Sequence, residues 1–71
     1  MEVSVIAQNT KRIINERGLK QKSVGEAAGY SDKQFSALLN GRKVIKDTDV
    51  TAIANALRVT PNELFGWPIT A

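Results

Sequence analysis

The chain of 71 residues has no cysteine and no histidine, and its aromatic side chains are two phenylalanines, one tyrosine and one tryptophan. Without cysteine there is no disulfide framework and no thiolate zinc site, and without histidine the commonest other metal ligand is gone. The same absences remove the usual proton-transfer residue and the thiol nucleophile, so an enzyme is not expected. No catalytic residue, bound metal, cofactor or small-molecule substrate is anticipated. Nor does any apolar run approach the roughly 20 residues that span a bilayer, and Met1 to Ala7 lacks the basic leader of a signal peptide. The expectation is a cytoplasmic protein without membrane contact.

Residues 1–71 are read as one small domain. A chain of this size buries only about 60% of the surface its unfolded state exposes. With disulfides and metals set aside, oligomerisation is the remaining source of extra stability.

The charge present is unevenly placed. Residues 11–46 carry Lys11, Arg12, Arg17, Lys20, Lys22, Lys33, Arg42, Lys43 and Lys46 against Glu16, Glu26 and Asp32, nine minus three, or +6. The remainder carries Arg58 against Glu2, Asp47, Asp49 and Glu63, one minus four, or −3. One part of the chain suits a polyanion and the other does not.

Apolar residues keep helical spacing between punctuation at Gly18, Gly29, Gly41, Pro61 and Gly66. A first helix is expected from about Ser4, its N-cap, to Arg17, with Ile6, Thr10, Ile13, Ile14 and Arg17 along one side. A second runs from Gln21 to Ala28 with Val24, Ala27 and Ala28 inward. The third is best marked: Ser31 and Gln34 have capping-box spacing, Tyr30 and Phe35 stand as a hydrophobic staple, and Phe35, Leu38 and Leu39 face inward until Gly41. A fourth from Asp47 to Arg58 buries Val50, Ile53, Ala54 and Leu57, with Asp47 and Asp49 serving the helix start rather than a metal. The fifth repeats the start signal with Thr60, Pro61 and Glu63, stapled by Val59 and Leu64. Five short helices and no strand make an all-α chain. Trp67 and Ile69 are expected to fold back over the core, a dimer contact being the alternative.

Residues 21–40, QKSVGEAAGYSDKQFSALLN, form a unit. Two short helices joined by a glycine-containing turn cross steeply only if a very small residue sits where the backbones approach, which Gly25 supplies. Gly29 supplies the positive φ at the turn, and Val24, Ala28, Tyr30, Phe35 and Leu38 plug the angle.

This unit resembles the helix-turn-helix of the phage Cro and lambda-repressor type, the XRE family. The lead-in NTKRIINERGLKQ, the exit LLNGRK and the closing AIANALRVTPNELF are similar to that family too, so the resemblance covers about residues 5–66. It implies a five-helix, lambda-repressor-like DNA-binding domain whose third helix reads the major groove of double-stranded DNA.

The outward face of that helix suits such a use. Lys33, Ser36, Ala37 and Asn40 point away from the core, and small residues allow close approach within a groove about 12 Å wide. The resemblance makes Asp32, Lys33 and Ala37 base-contacting positions, with Gln34 and Ser36 as neighbours. Lys33 suits guanine, Asp32 a cytosine amino group and Ala37 a thymine methyl. Gln21 matches the family's phosphate-contacting glutamine, and Asn40, Arg42 and Lys43 match its backbone-gripping loop. Lys20 and Lys22 place positive charge on the opposite flank.

Two departures stand out. Many relatives cap the second helix with serine, threonine or asparagine, where Lys20 cannot accept an amide hydrogen bond; the loss is about 1 kcal/mol. Many also pair an arginine at the position of Ile14 with an acid at that of Leu39. Both are aliphatic here, which predicts that they meet in the core, since such double replacements are often neutral or stabilising.

The expected function is a sequence-specific transcriptional regulator, a small phage-type repressor associated with the nucleoid and acting as a homodimer. An antitoxin that represses its own operon fits the same residues. A protein-interaction module is the reading from a different class, but helix 3 lacks the exposed aromatics that a protein partner would favour.

Overall fold

The computed structural model describes residues 4–66, and Trp67 and Ile69 lie outside them. The described chain is all-helical: α1 (Val5–Glu16), α2 (Gln21–Ala27), α3 (Asp32–Leu39), α4 (Asp47–Leu57) and α5 (Pro61–Phe65). Helices this short are marginal in isolation, so their stability comes from caps and a shared apolar core.

The starts follow the local chemistry. Ser4 Oγ accepts from the Ala7 amide, and Ser31 with Gln34 and Thr60 with Glu63 form full capping boxes. At α4 the Asp49 carboxylate accepts from the Lys46 amide at 2.9 Å. Helices α2 and α4 have lysine N-caps, Lys20 and Lys46, whose ammonium groups have no lone pair to offer, so neither N-cap side chain accepts an amide; α4 has the Asp49 bond instead, and α2 has no such substitute.

The helix ends share one device. After α1, α2 and α3 a glycine with positive φ (Gly18, Gly29, Gly41) is followed by an amide that bonds back across the last turn. Those bonds run from Leu19 to Ile14 O, from Tyr30 to Gly25 O and from Arg42 to Ala37 O, at 2.8–2.9 Å. They are Schellman closures. Helix α4 closes in the same way, with Val59 N–H donating to Ala54 O, yet the left-handed position is held by Arg58 at φ 57°, ψ 43°. The fourth helix therefore stops at Leu57, one residue earlier than its sequence suggests, and no glycine marks the place.

Every helix contributes to one buried cluster: Ile6, Ala7, Ile13 and Ile14 from α1, Val24 from α2, and Phe35, Leu38 and Leu39 from α3. Helix α4 adds Val50, Ile53, Ala54 and Leu57, and α5 adds Leu64. Ile14 and Leu39 thus share one core, with α1 packed on α3. Thr10, fully buried among them, donates its hydroxyl to Ile6 O at 2.7 Å, so its polar atom is satisfied. Ala27 is exposed rather than inward. Over seven residues two turns leave room for a single inward stripe, and Val24 and Gly25 occupy it.

Helix α1 also holds the ends of its neighbours. Arg17 Nη1 donates to Leu57 O at 2.6 Å and Asn9 Nδ2 to Leu64 O at 2.8 Å, so two C-terminal carbonyls of α4 and α5 find donors on α1 and its C-cap.

Two substitutions test this account by chemical denaturation. Arg58→Gly should raise stability by about 0.5–1 kcal/mol, by removing a left-handed non-glycine residue. Gly25→Ala should cost about 1–3 kcal/mol, because a Cβ there would lie 2.9 Å from Cβ, Cγ and Cδ2 of the fully buried Phe35. Equal stability of Gly25→Ala and the native chain would remove the close approach from the explanation.

Candidate nucleic-acid interface

The geometry of the second and third helices begins at Gly25. With no side chain there, α2 comes down on Phe35, and the closure at Gly29 turns the chain directly into α3. Tyr30, next in the chain, stacks on Phe35 with ring centroids 5.9 Å apart and planes 14° apart. The staple expected from spacing is a ring stack.

Tyr30 does a second thing that its spacing does not announce. Its hydroxyl donates to Asp49 Oδ1 on the first turn of α4. The turn between α2 and α3 is thereby tied to a third helix. Burial, then the hydrogen bond and the nearby Asp49 charge, push the phenol up to about 12. The bond from Tyr30, then that from the Lys46 amide, hold Asp49 below its ordinary value.

This frame leaves the first turn of α3 outward. Asp32, Lys33 and Gln34 are exposed, while Ser36 and Ala37 are half-buried, lying lower on the helix where small side chains meet the surface. Gln34 has part of its side chain committed: Oε1 accepts from the Ser31 amide at 2.9 Å, leaving only its amino group to face outward. Asn40, the C-cap, is exposed and bonded on both sides of its amide. Arg42 and Lys43 follow in the exposed stretch after Gly41. On the other flank, Lys20 and Lys22 are exposed and Gln21 is the half-buried first residue of α2.

Lys11 was not among the residues expected at this site. Its Nζ lies 3.1 Å from Asn40 Oδ1, bringing a cation from α1 to the end of α3. The signal was present indirectly. If Ile14 shares the core with Leu39, then Lys11, one turn before Ile14 on α1, sits over the residue after Leu39.

Among the described residues the ion pair is Arg12–Glu16, so Lys20, Lys22, Lys33, Arg42 and Lys43 have no carboxylate within ion-pair distance. No group of three or more potential metal ligands occurs among them, and no helix is long and apolar enough to cross a membrane.

Residues 11–64 match a family model described as a helix-turn-helix domain. The chain belongs to that family. The match spans well over half its length and encloses both helices, the turn, the exit loop and α4, so the fold is an all-helical DNA-binding fold. No curated protein and no solved structure matched the chain.

The Tyr30–Asp49 bond makes the helix-turn-helix sensitive to pH at both extremes. The folded phenol is the weaker acid, so its contribution is complete below 10.0, its ordinary value, and is lost as pH rises toward about 12. Folded Asp49 is the stronger acid, so its contribution is complete above 3.8 and is lost as pH falls through its lowered value. The chain has a single tyrosine, so phenolate absorbance reports Tyr30 alone. The midpoint should stand near 12 in the native chain and move down in Asp49→Asn. An ordinary midpoint unmoved by that substitution would contradict the bond. Tyr30→Phe should cost about 1–2 kcal/mol at neutral pH.

Proposed function

We propose that the chain is a sequence-specific DNA-binding transcriptional regulator of the phage Cro and lambda-repressor type, with α3 in the major groove and its outcome repression. The observation that carries this is the exposed first turn of α3, followed by small Ser36 and Ala37 and flanked by cations with no carboxylate within ion-pair distance among the described residues. A groove requires a narrow reading face with a phosphate ridge on either side, and helix-turn-helix proteins present the N-terminal residues of the second helix to base edges. Asp32, Lys33, Ser36 and Ala37 form the reading face, with the Gln34 amino group at its border. Gln21, Lys20 and Lys22 take the phosphates on one side and Asn40, Arg42 and Lys43 those on the other.

The whole of residues 1–71 acts as one DNA-binding unit in this reading. A single helix-turn-helix covers only a half-site, so the regulator acts as a homodimer on two half-sites about 34 Å apart, at home on the nucleoid.

Binding to a randomised duplex library at two salt concentrations, with the retained DNA sequenced, tests the proposal. A two-fold-symmetric site with salt-sensitive affinity is expected. Arg42→Ala should weaken binding to all sequences and lower the salt slope by about one. Lys33→Ala should instead relax preference at one base pair by about 1–3 kcal/mol. No retained DNA at low salt would overturn the reading.

A further inference from the structure

The outer end of α3 carries a chain of three polar side chains whose donors and acceptors are fixed by the first of them. Lys11 Nζ stands 3.1 Å from Asn40 Oδ1, and Asn40 Nδ2 stands 3.2 Å from Ser36 Oγ. An ammonium has three donors and no acceptor, so the Asn40 oxygen must be the atom turned toward Lys11. The Asn40 amino group must then face Ser36, and Ser36 Oγ can only accept from it. The serine hydrogen is consequently directed away from Asn40. Thr10 and Thr51 donate their hydroxyls to the carbonyl four residues back, whereas Ser36 has no such acceptor among the described residues. Among the described residues nothing takes its hydrogen, which is available to a ligand.

We infer that Lys11 is a positioning residue for base recognition: acting through Asn40, it sets Ser36 as a hydrogen-bond donor toward a base edge. The inference rests on the DNA-binding reading given above and deepens it by naming the chemistry of one contact. A donor selects an acceptor in the major groove, meaning purine N7, guanine O6 or thymine O4, over the amino groups of cytosine and adenine. The second N–H of Asn40 and the remaining N–H groups of Lys11 are donors too, which suits neighbouring phosphate oxygens. A cation 29 residues from Asn40 in sequence therefore decides the polarity of a contact it does not itself make.

The test repeats the duplex selection with the full chain and its Lys11→Met, Lys11→Arg, Ser36→Ala and Asn40→Asp variants, each checked for folding by its thermal melt. Lys11 and Asn40 are exposed, so melts close to the native one are expected. Lys11→Met and Ser36→Ala should each lower preference at the same base pair by about three- to tenfold, as expected for one hydrogen bond. Lys11→Arg, which keeps a cationic donor, should retain it. The double variant Lys11→Met with Ser36→Ala should lose no more preference than either alone. Asn40→Asp removes the donor facing Ser36, so the hydroxyl turns to the new carboxylate and the ranking should move toward bases that present an amino group.

Uniform weakening by Lys11→Met with the base ranking intact would overturn the inference and leave Lys11 as a phosphate contact. An unchanged ranking in Asn40→Asp would overturn it also, even if Lys11→Met proved unstable. If the native chain retained no DNA, the DNA-binding reading would fall first and this one with it.

Discussion

The approach of α2 onto Phe35 is the contact on which the rest of the arrangement depends. It exists because position 25 has no side chain: any Cβ would overlap three atoms of the phenylalanine. Phe35 is fully buried in consequence, and its upper face is free to take the ring of Tyr30. Tyr30 then extends to Asp49, whose other oxygen starts α4 by holding the Lys46 amide. One missing methyl group thus leads, through two aromatic rings and a carboxylate, to the fixed direction in which α3 leaves the turn. The capping box at Ser31 and Gln34 finishes the task by setting which residue begins the helix, and hence which side chains lie outward.

The same geometry shapes the electrostatics. Most acids of the described chain have structural employment. Asp49 and Glu63 accept backbone amides at helix starts, Asp47 accepts the Thr48 amide, and Glu16 pairs with Arg12. Glu26 and Asp32 remain, and Asp32 lies in the first turn of α3, where the helix dipole favours it. The cations divide differently: Arg17 holds a helix end and Lys11 an amide oxygen, while Lys20, Lys22, Lys33, Arg42 and Lys43 have no carboxylate within ion-pair distance among the described residues, Lys43 acting on Asp49 only through space. Among the described residues the basic bias of 11–46 is therefore not cancelled by ion pairing. Such a field attracts a polyanion before any base is read.

How much of this was legible in the sequence follows from where each partner lies. Caps, boxes and staples involve residues three to five apart, so Ser4, Ser31 with Gln34, Thr60 with Glu63 and Tyr30 with Phe35 could be paired by eye. The core of α3 and α4 followed from spacing for the same reason. Gly25 could be assigned because steep helix pairs demand a small residue at one place. What escaped are bonds whose other end is a distant backbone carbonyl, as for Arg17 to Leu57 and Asn9 to Leu64, since every residue offers the same carbonyl. Tyr30 to Asp49 escaped because packing alone accounted for the ring, and nothing in its spacing pointed to the hydroxyl. The end of α4 escaped because the left-handed position carries an arginine where the other four helices carry glycine.

Arg58 and Lys20 both break a local rule, but they break it differently. Arg58 occupies a conformation that costs a non-glycine residue about 1–2 kcal/mol, yet its charge stands at the negative end of α4, where the helix dipole returns part of that cost. Lys20 has no such return. It leaves the first amides of α2 without a side-chain acceptor and sets a positive charge against the positive end of the same helix. Nothing else among the described residues offsets this, because the Lys20 side chain makes neither a hydrogen bond nor an ion pair there, its carbonyl alone accepting the Val24 amide. In a domain this small, about 1 kcal/mol is a sizeable share of the total. Local rules broken without compensation inside a fold are characteristic of functional positions. In the DNA-binding reading proposed above, Lys20 is one of the phosphate-contacting side chains, and a phosphate beside it would neutralise the charge that opposes the start of α2.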